Sequence, residues 1–154
     1  MAHFSANRGA VTPTAHATNV DNWVLAADTA GDCAQVKSFS WGGRGTTSTG
    51  YRTRWVRCTT NGTTPTALTL TASNPSSAAL CSVNTYGTPA AGAADPTGLF
   101  AIDWNIVGGG GVVVLPIGGE WFVVGTAAPY AQIGCGNIAG ADASLSSYGV
   151  TFAE

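Results

Sequence analysis

An all-β, jelly-roll-like antiparallel β-sandwich of roughly eight to ten strands is the fold this sequence predicts. Two observations carry that expectation. Gly, Pro, Thr and Ser interrupt every window in which apolar residues would otherwise recur at helical spacing. Short runs rich in β-branched and aromatic residues recur instead, separated by turn residues. At 154 residues the chain suits one domain, large enough to bury a core without a disulfide or metal. Residues 1–14 read as an extended N-terminal arm and residues 15–154 as the single sandwich domain.

The strands follow in order. Val20–Ala26 and Val36–Trp41 are the first candidates. Thr60-Asn61-Gly62-Thr63 is the sharpest local signal, because Asn-Gly supplies the positive-φ pair of a type I′ hairpin. Reading outward from that turn sets Trp55 opposite Leu68 and Thr53 opposite Leu70 on a buried face. Arg54 then faces Thr69, and Arg52 faces Thr71, on a solvated one. Pro65 has no N–H to give and so predicts an edge or a bulge. A Pro/Ala/Gly-rich loop between Tyr86 and Gly98 joins the two halves. In Leu99–Ile106, Phe100, Ile102, Trp104 and Ile106 alternate with Ala101, Asp103 and Asn105.

A second hairpin is predicted at Ile117-Gly118-Gly119-Glu120, pairing Leu115 with Phe122 and Val114 with Val123. Its arms, Val112–Leu115 and Trp121–Val124, are apolar on both faces. One face packs on the subunit's own core. The other is either buried between two sheets of the same chain or packed on a neighbouring subunit. Val113, Leu115, Phe122 and Val124 are the candidate oligomer interface. Tyr130–Cys135 and Leu145–Phe152 complete the set, with Tyr148, Val150 and Phe152 on one face.

Charged residues are 9% of the chain, against roughly 25% in an average domain, which suits a surface largely covered by partners. The net charge of −2 argues against a nucleic-acid partner. No run approaches the ~18 apolar residues of a membrane span. The opening residues lack a signal-peptide layout, which predicts a cytoplasmic, unsecreted protein. Cys33, Cys58, Cys81 and Cys135 form no closely spaced pair. They read as small buried hydrophobes, with a disulfide or reactive thiol as the alternative.

No catalytic centre is expected. Asp103 and Glu120 are the only acids paired on or beside convincing strands, and both read as solvent-facing or salt-bridged rather than flanking a cleft. His3 and His16 sit in no element that would orient a general base, and there is no G-x-S-x-G elbow. Gly134-Cys135-Gly136-Asn137-Ile138-Ala139 spells a dinucleotide fingerprint, but no helix follows it. Gly108–Gly111 lacks the Lys-Ser/Thr of a phosphate loop. No cofactor or metal is expected. Arg44, Arg52, Arg54 and Arg57 hold most of the basic charge. They read either as sheet-surface arginines bridging nearby acids or as forked donors for carboxylates on another protein.

Phe4-Ser-Ala-Asn-Arg-Gly-Ala-Val-Thr-Pro-Thr14, Ser40-Trp-Gly-Gly, Tyr51-Arg-Thr-Arg-Trp-Val-Arg57, Thr63-Thr-Pro-Thr and Ser147-Tyr-Gly-Val-Thr-Phe152 span most of the chain. With these segments the sequence resembles small structural proteins of tailed bacteriophages, and among them capsid decoration (cement) proteins. The resemblance implies a homotrimeric sandwich assembled in the host cytoplasm, located in the virion and bracing the head shell. Its partners would be the major capsid protein or other virion proteins. On that reading Phe4 and Arg8 of the arm, with Arg44, Arg52, Arg54 and Arg57, engage the capsid. The alternative is a carbohydrate- or receptor-binding module of a phage tail or neck, with Trp41 or Tyr51 beside Arg44 stacking on sugars. Core positions for Trp41 and Trp55 would remove that site.

Overall fold

A computed structural model of the chain describes residues 1–11, 19–20, 22–29, 31–58, 60, 62–88, 90–91, 99–125, 132–139 and 146–154. In chain order these residues form β1 (His3–Val11), β2 (Asn19–Val20), β3 (Trp23–Ala27), β4 (Cys33–Gly43) and β5 (Gly50–Arg57). Next come β6 (Thr63–Ala67), β7 (Leu70–Ala72), β8 (Cys81–Thr88), β9 (Ala90–Ala91) and β10 (Phe100–Asn105). The last four are β11 (Gly110–Val114), β12 (Trp121–Val124), β13 (Gln132–Ala139) and β14 (Ser146–Ala153). The fold is an all-β sandwich, with more strands than the sequence suggests.

Sheet A has the order β11-β4-β14-β1-β7, with β12 also on β4; sheet B has the order β10-β5-β13-β3-β8-β6. All the pairings among the described residues are antiparallel, and β2 with β9 makes a separate two-stranded ribbon. The facing sides carry the core. Phe39 of sheet A meets Trp55 of sheet B at a ring-centroid distance of 4.3 Å and Trp121 at 5.0 Å. Trp41 meets Trp55 edge-on at 5.7 Å. Such pairs add about 0.5–1.5 kcal/mol each beyond the area they bury. The Trp41 ring also lies on Gly111, where a Cβ would come within 2.9 Å of its Cζ2. A polar link crosses between the sheets. Trp104 Nε1 donates to Thr53 Oγ1 at 2.8 Å, Thr53 donates to Asn137 Oδ1 at 2.6 Å, and Asn137 Nδ2 donates to Tyr148 OH at 3.0 Å.

Where a strand alternates strictly, the structure follows the sequence. Tyr148, Val150 and Phe152 of β14 face the core, and Trp104 is buried while Asp103 and Asn105 are exposed. Pro65 lies in β6, an edge strand, as its missing N–H requires. The sequence Gly134–Ala139 runs inside β13, so its glycines belong to a ladder and not to a phosphate loop.

Three expectations are corrected. Residues 3–11 are not an arm: β1 lies between β14 and β7 in sheet A. Phe4 and Ala6 alternate with Ser5 and Asn7, and Phe4 stacks on Phe152 at 5.6 Å. The remainder of the expected arm, residues 12–14, lies outside the described residues. The hairpin centred on Asn61 and Gly62 does not pair β5 with β6. β5 pairs with β10 and β13, so Trp55 faces Phe100 and Cys135 rather than Leu68. The reason is burial: Tyr51, Thr53 and Trp55 need neighbours in the core, whereas every residue of β6 is exposed. Asn61 itself is outside the described residues.

The third correction concerns the apolar ribbon. β11 and β12 do not pair with each other; both pair with β4, end to end along one side of it. β4 is eleven residues long and offers room for both. Lying in line lets alternate residues of both segments, Val113, Leu115, Trp121 and Val123, meet the core together.

Candidate functional site

The segment 110–124 is where the sandwich presents apolar surface. Because β11 and β12 each alternate, half of their residues must point away from the core. On the outer face Val112 is 65% exposed, Val114 73%, Phe122 44% and Val124 51%. Ile117, in the turn between the two strands, is fully exposed. The expected interface set therefore divides. Val113 and Leu115 pack against the core, and Phe122 and Val124 face outward. Val112, Val114 and Ile117 belong to the exposed row and were not among the residues expected there. Their exposure was hidden by a run in which every position is apolar.

The turn between the strands is held by Glu120. Its carboxylate accepts from Lys37 Nζ at 3.1 Å and from the Gly118 N–H at 2.6 Å. Backbone N–H donation, its own first, and then Lys37 hold the Glu120 carboxyl below the ordinary carboxylate range. Gly118 sits at φ +86° in this turn, a conformation that suits glycine. Arg57 crosses from sheet B and donates to the Phe122 carbonyl at 2.8 Å.

The arginines do not assemble one face. Arg44 is exposed in the loop after β4. Arg52 bridges Asp103 at 3.1 Å on the exposed side of β10, a pair worth about 0–1 kcal/mol. Arg8 donates to the Asn22 carbonyl at 2.7 Å. Arg54 is fully buried, which corrects the expectation that it projects to solvent or a partner. Its cross-strand neighbour is Gly136, which leaves room for the long side chain. On the same outer face Val24, Val56 and Cys58 are buried with Tyr86 packed on them, so this side of sheet B is covered there and solvated only toward Arg52 and Asp103. Burial pushes the Cys58 thiol up to about 12, with Arg54 opposing the shift. Phe4, buried under β1, is likewise withdrawn from any partner.

The other candidate chemistry is used internally. Asp103 and Glu120 each hold a cation, Arg52 and Lys37 respectively. Asp28 accepts from Ser82, Asp32 from the Thr29 N–H, and Glu154 from the N–H groups of Leu80 and Cys81. His16, Asp21, Asp95, Tyr130 and Asp142 lie outside the described residues. Among the described residues no cluster of three or more His, Cys, Asp or Glu is placed to hold a metal ion. No helix there is long and apolar enough to cross a membrane. None of the four cysteines is in a disulfide; Cys58, Cys81 and Cys135 are buried, whereas Cys33 is exposed. Trp41 and Tyr51 are core residues, Tyr51 stacking on Trp104 at 5.3 Å, so the aromatic sugar platform expected of them does not form.

The outer face of sheet A is different in kind. Ser5, Asn7, Ser40, Thr69, Thr71 and Thr151 line a groove of about 420 Å³. Ala6, Gly149 and Val150 complete the lining, which carries no charge. No family model matches this chain, and no curated protein or solved structure is significantly similar to it.

Proposed function

We propose that the chain is a non-enzymatic structural subunit of a phage virion, of the capsid-decorating kind its sequence resembles, which associates with copies of itself and braces the head shell. The observation that carries this reading is the exposed row Val112, Val114, Ile117, Phe122 and Val124 on an otherwise small and polar face. Contiguous apolar exposure of this kind marks protein–protein contact. The sparse charge and the internal use of the described acids support the same reading. The test is to sediment the purified chain with head shells after measuring its mass by light scattering at low and high salt. An oligomer that resists salt and pellets with the shells is the expected result. A monomer that stays in the supernatant at every salt concentration would end the proposal.

A second reading rests on the groove lined by Ser5, Asn7, Ser40, Thr69, Thr71 and Thr151. Neutral hydroxyl and amide groups suit a polyhydroxylated ligand, and the chain would then be a carbohydrate- or receptor-binding module of a tail or neck. Glycan-array binding that disappears in Thr151→Val would favour it. An array blank at all sugars would remove it.

A further inference from the structure

We infer that the open edge of β11 pairs in antiparallel register with β11 of a second copy, joining two sheets A into one continuous sheet about a two-fold axis at Val112. This deepens the association reading above and rests on it.

The ladder itself shows the open groups. The Leu115 N–H bonds the Lys37 carbonyl at 2.8 Å, and the Gly43 N–H bonds the Gly109 carbonyl at 3.0 Å. In an antiparallel ladder the residues between such pairs turn their N–H and C=O the other way. Gly110, Val112 and Val114 therefore point both backbone groups away from β4, and among the described residues no strand pairs there. Unpaired edges are templates for strand addition, and proteins usually blunt them with charge, proline, bulges or short length.

The remaining sheet edges are blunted in these ways. β7 is only three residues long. β6 carries Pro65, which has no N–H to offer, and its neighbour Thr64 sits at φ +57°. β10 presents Asp103, bridged to Arg52. Even the β12 half of this same edge has its Phe122 carbonyl occupied by Arg57. Gly110-Gly-Val-Val-Val114 has no charge, proline or bulge. Among the described edges of sheets A and B it is the one that carries none of these devices, and it is also where the outward side chains are apolar.

A second copy fits this edge because an antiparallel strand is its own complement about a two-fold axis. Centring the axis on Val112 sets Gly110 opposite Val114 of the partner copy and Val112 opposite its own mate. Every open donor and acceptor of Gly110, Val112 and Val114 is then used. Centring it one residue later would leave Gly110 unpaired. The glycine opposite a valine also leaves space on the outer face, where Val112 and Val114 of both copies come together. A contact this short lies at the small end of protein interfaces, so the dimer is expected to be concentration-dependent.

The test uses the full chain and its mass by sedimentation velocity over about a hundredfold range of concentration, with folding checked by circular dichroism. The expected result is a monomer–dimer equilibrium. Val114→Lys, on the open half, should weaken it about tenfold or more, because an edge lysine opposes strand addition. Val124→Lys lies in the same exposed row but on the half capped by Arg57, and should change it by less than about twofold. In a Cys33→Ser background, Val112→Cys should form a symmetric disulfide on mild oxidation, since hydrogen-bonded cross-strand pairs stand about 5.5 Å apart at Cα.

The outcomes separate the two claims. Equal loss of association in Val114→Lys and Val124→Lys would mean face-to-face packing of the apolar row; a trimer would likewise overturn the edge pairing while leaving self-association intact. A monomer throughout the range would overturn both. A dimer with the expected variant pattern that ignores head shells would uphold the edge and remove the virion role.

Discussion

β11 and β12 lie in line on the same side of β4, and each alternates apolar residues between the core and the outer face. They differ in what their backbone can still do. On β12 the Phe122 carbonyl, which points away from β4, is taken by Arg57. On β11 the corresponding groups of Val112 and Val114 are open. Exposed valines alone would make the two halves look alike. The hydrogen-bond inventory separates them, and it marks one half as a place for assembly and the other as a finished edge.

Substitutions on either strand test that contrast. The largest effect is expected from Trp121→Ala, which removes the inward anchor of β12 and its stack on Phe39. The loss should be about 3 kcal/mol, read from a denaturant midpoint, with the sedimentation behaviour of the folded fraction unchanged. Arg57→Ala should cost about 1 kcal/mol of stability. It should also raise self-association, because it uncovers the Phe122 carbonyl and extends the open edge onto β12. If association stays the same, Arg57 is not what closes that half.

The smallest effect concerns the turn between them. The Glu120 carboxyl is held below its ordinary range in the folded chain, so its contribution is present above the ordinary carboxylate pKa and is lost as pH falls through the lower folded value. Amide NMR shifts of Gly118 and Glu120 should move together in acid, below the ordinary carboxylate range, and stay constant around neutrality. A turn that titrates near neutral pH would contradict the assignment of Glu120 as its clasp.

How much was legible beforehand depended on alternation. β14 and β10 could be read directly, because Tyr148, Val150 and Phe152, or Asp103 between Ile102 and Trp104, leave only one face for the core. β11 and β12 gave no such phase: with every position apolar, either set of residues could point inward, and only pairing with β4 decides between them. β1 was missed because Asn7, Arg8 and Gly9 dilute a pattern that Phe4 and Ala6 carry alone. The burial of Arg54 rests on Gly136, a neighbour far away in sequence. Asn-Gly at 61–62 is a strong turn signal, but it fixes only a local bend. The strands on either side found partners that bury more. The Ser/Thr groove had no sequence signal, since its residues come from separate strands and are ordinary in composition.

If β11 pairs with β11 of a second copy, the amides of Val112 and Val114 are the groups that change, and hydrogen exchange at those two positions in dilute and in concentrated protein reads that change. Both should exchange freely when dilute and become protected on concentration, while the Phe122 amide changes little. Protection that does not depend on concentration, or that appears at Phe122 and Val124 instead, would contradict that pairing.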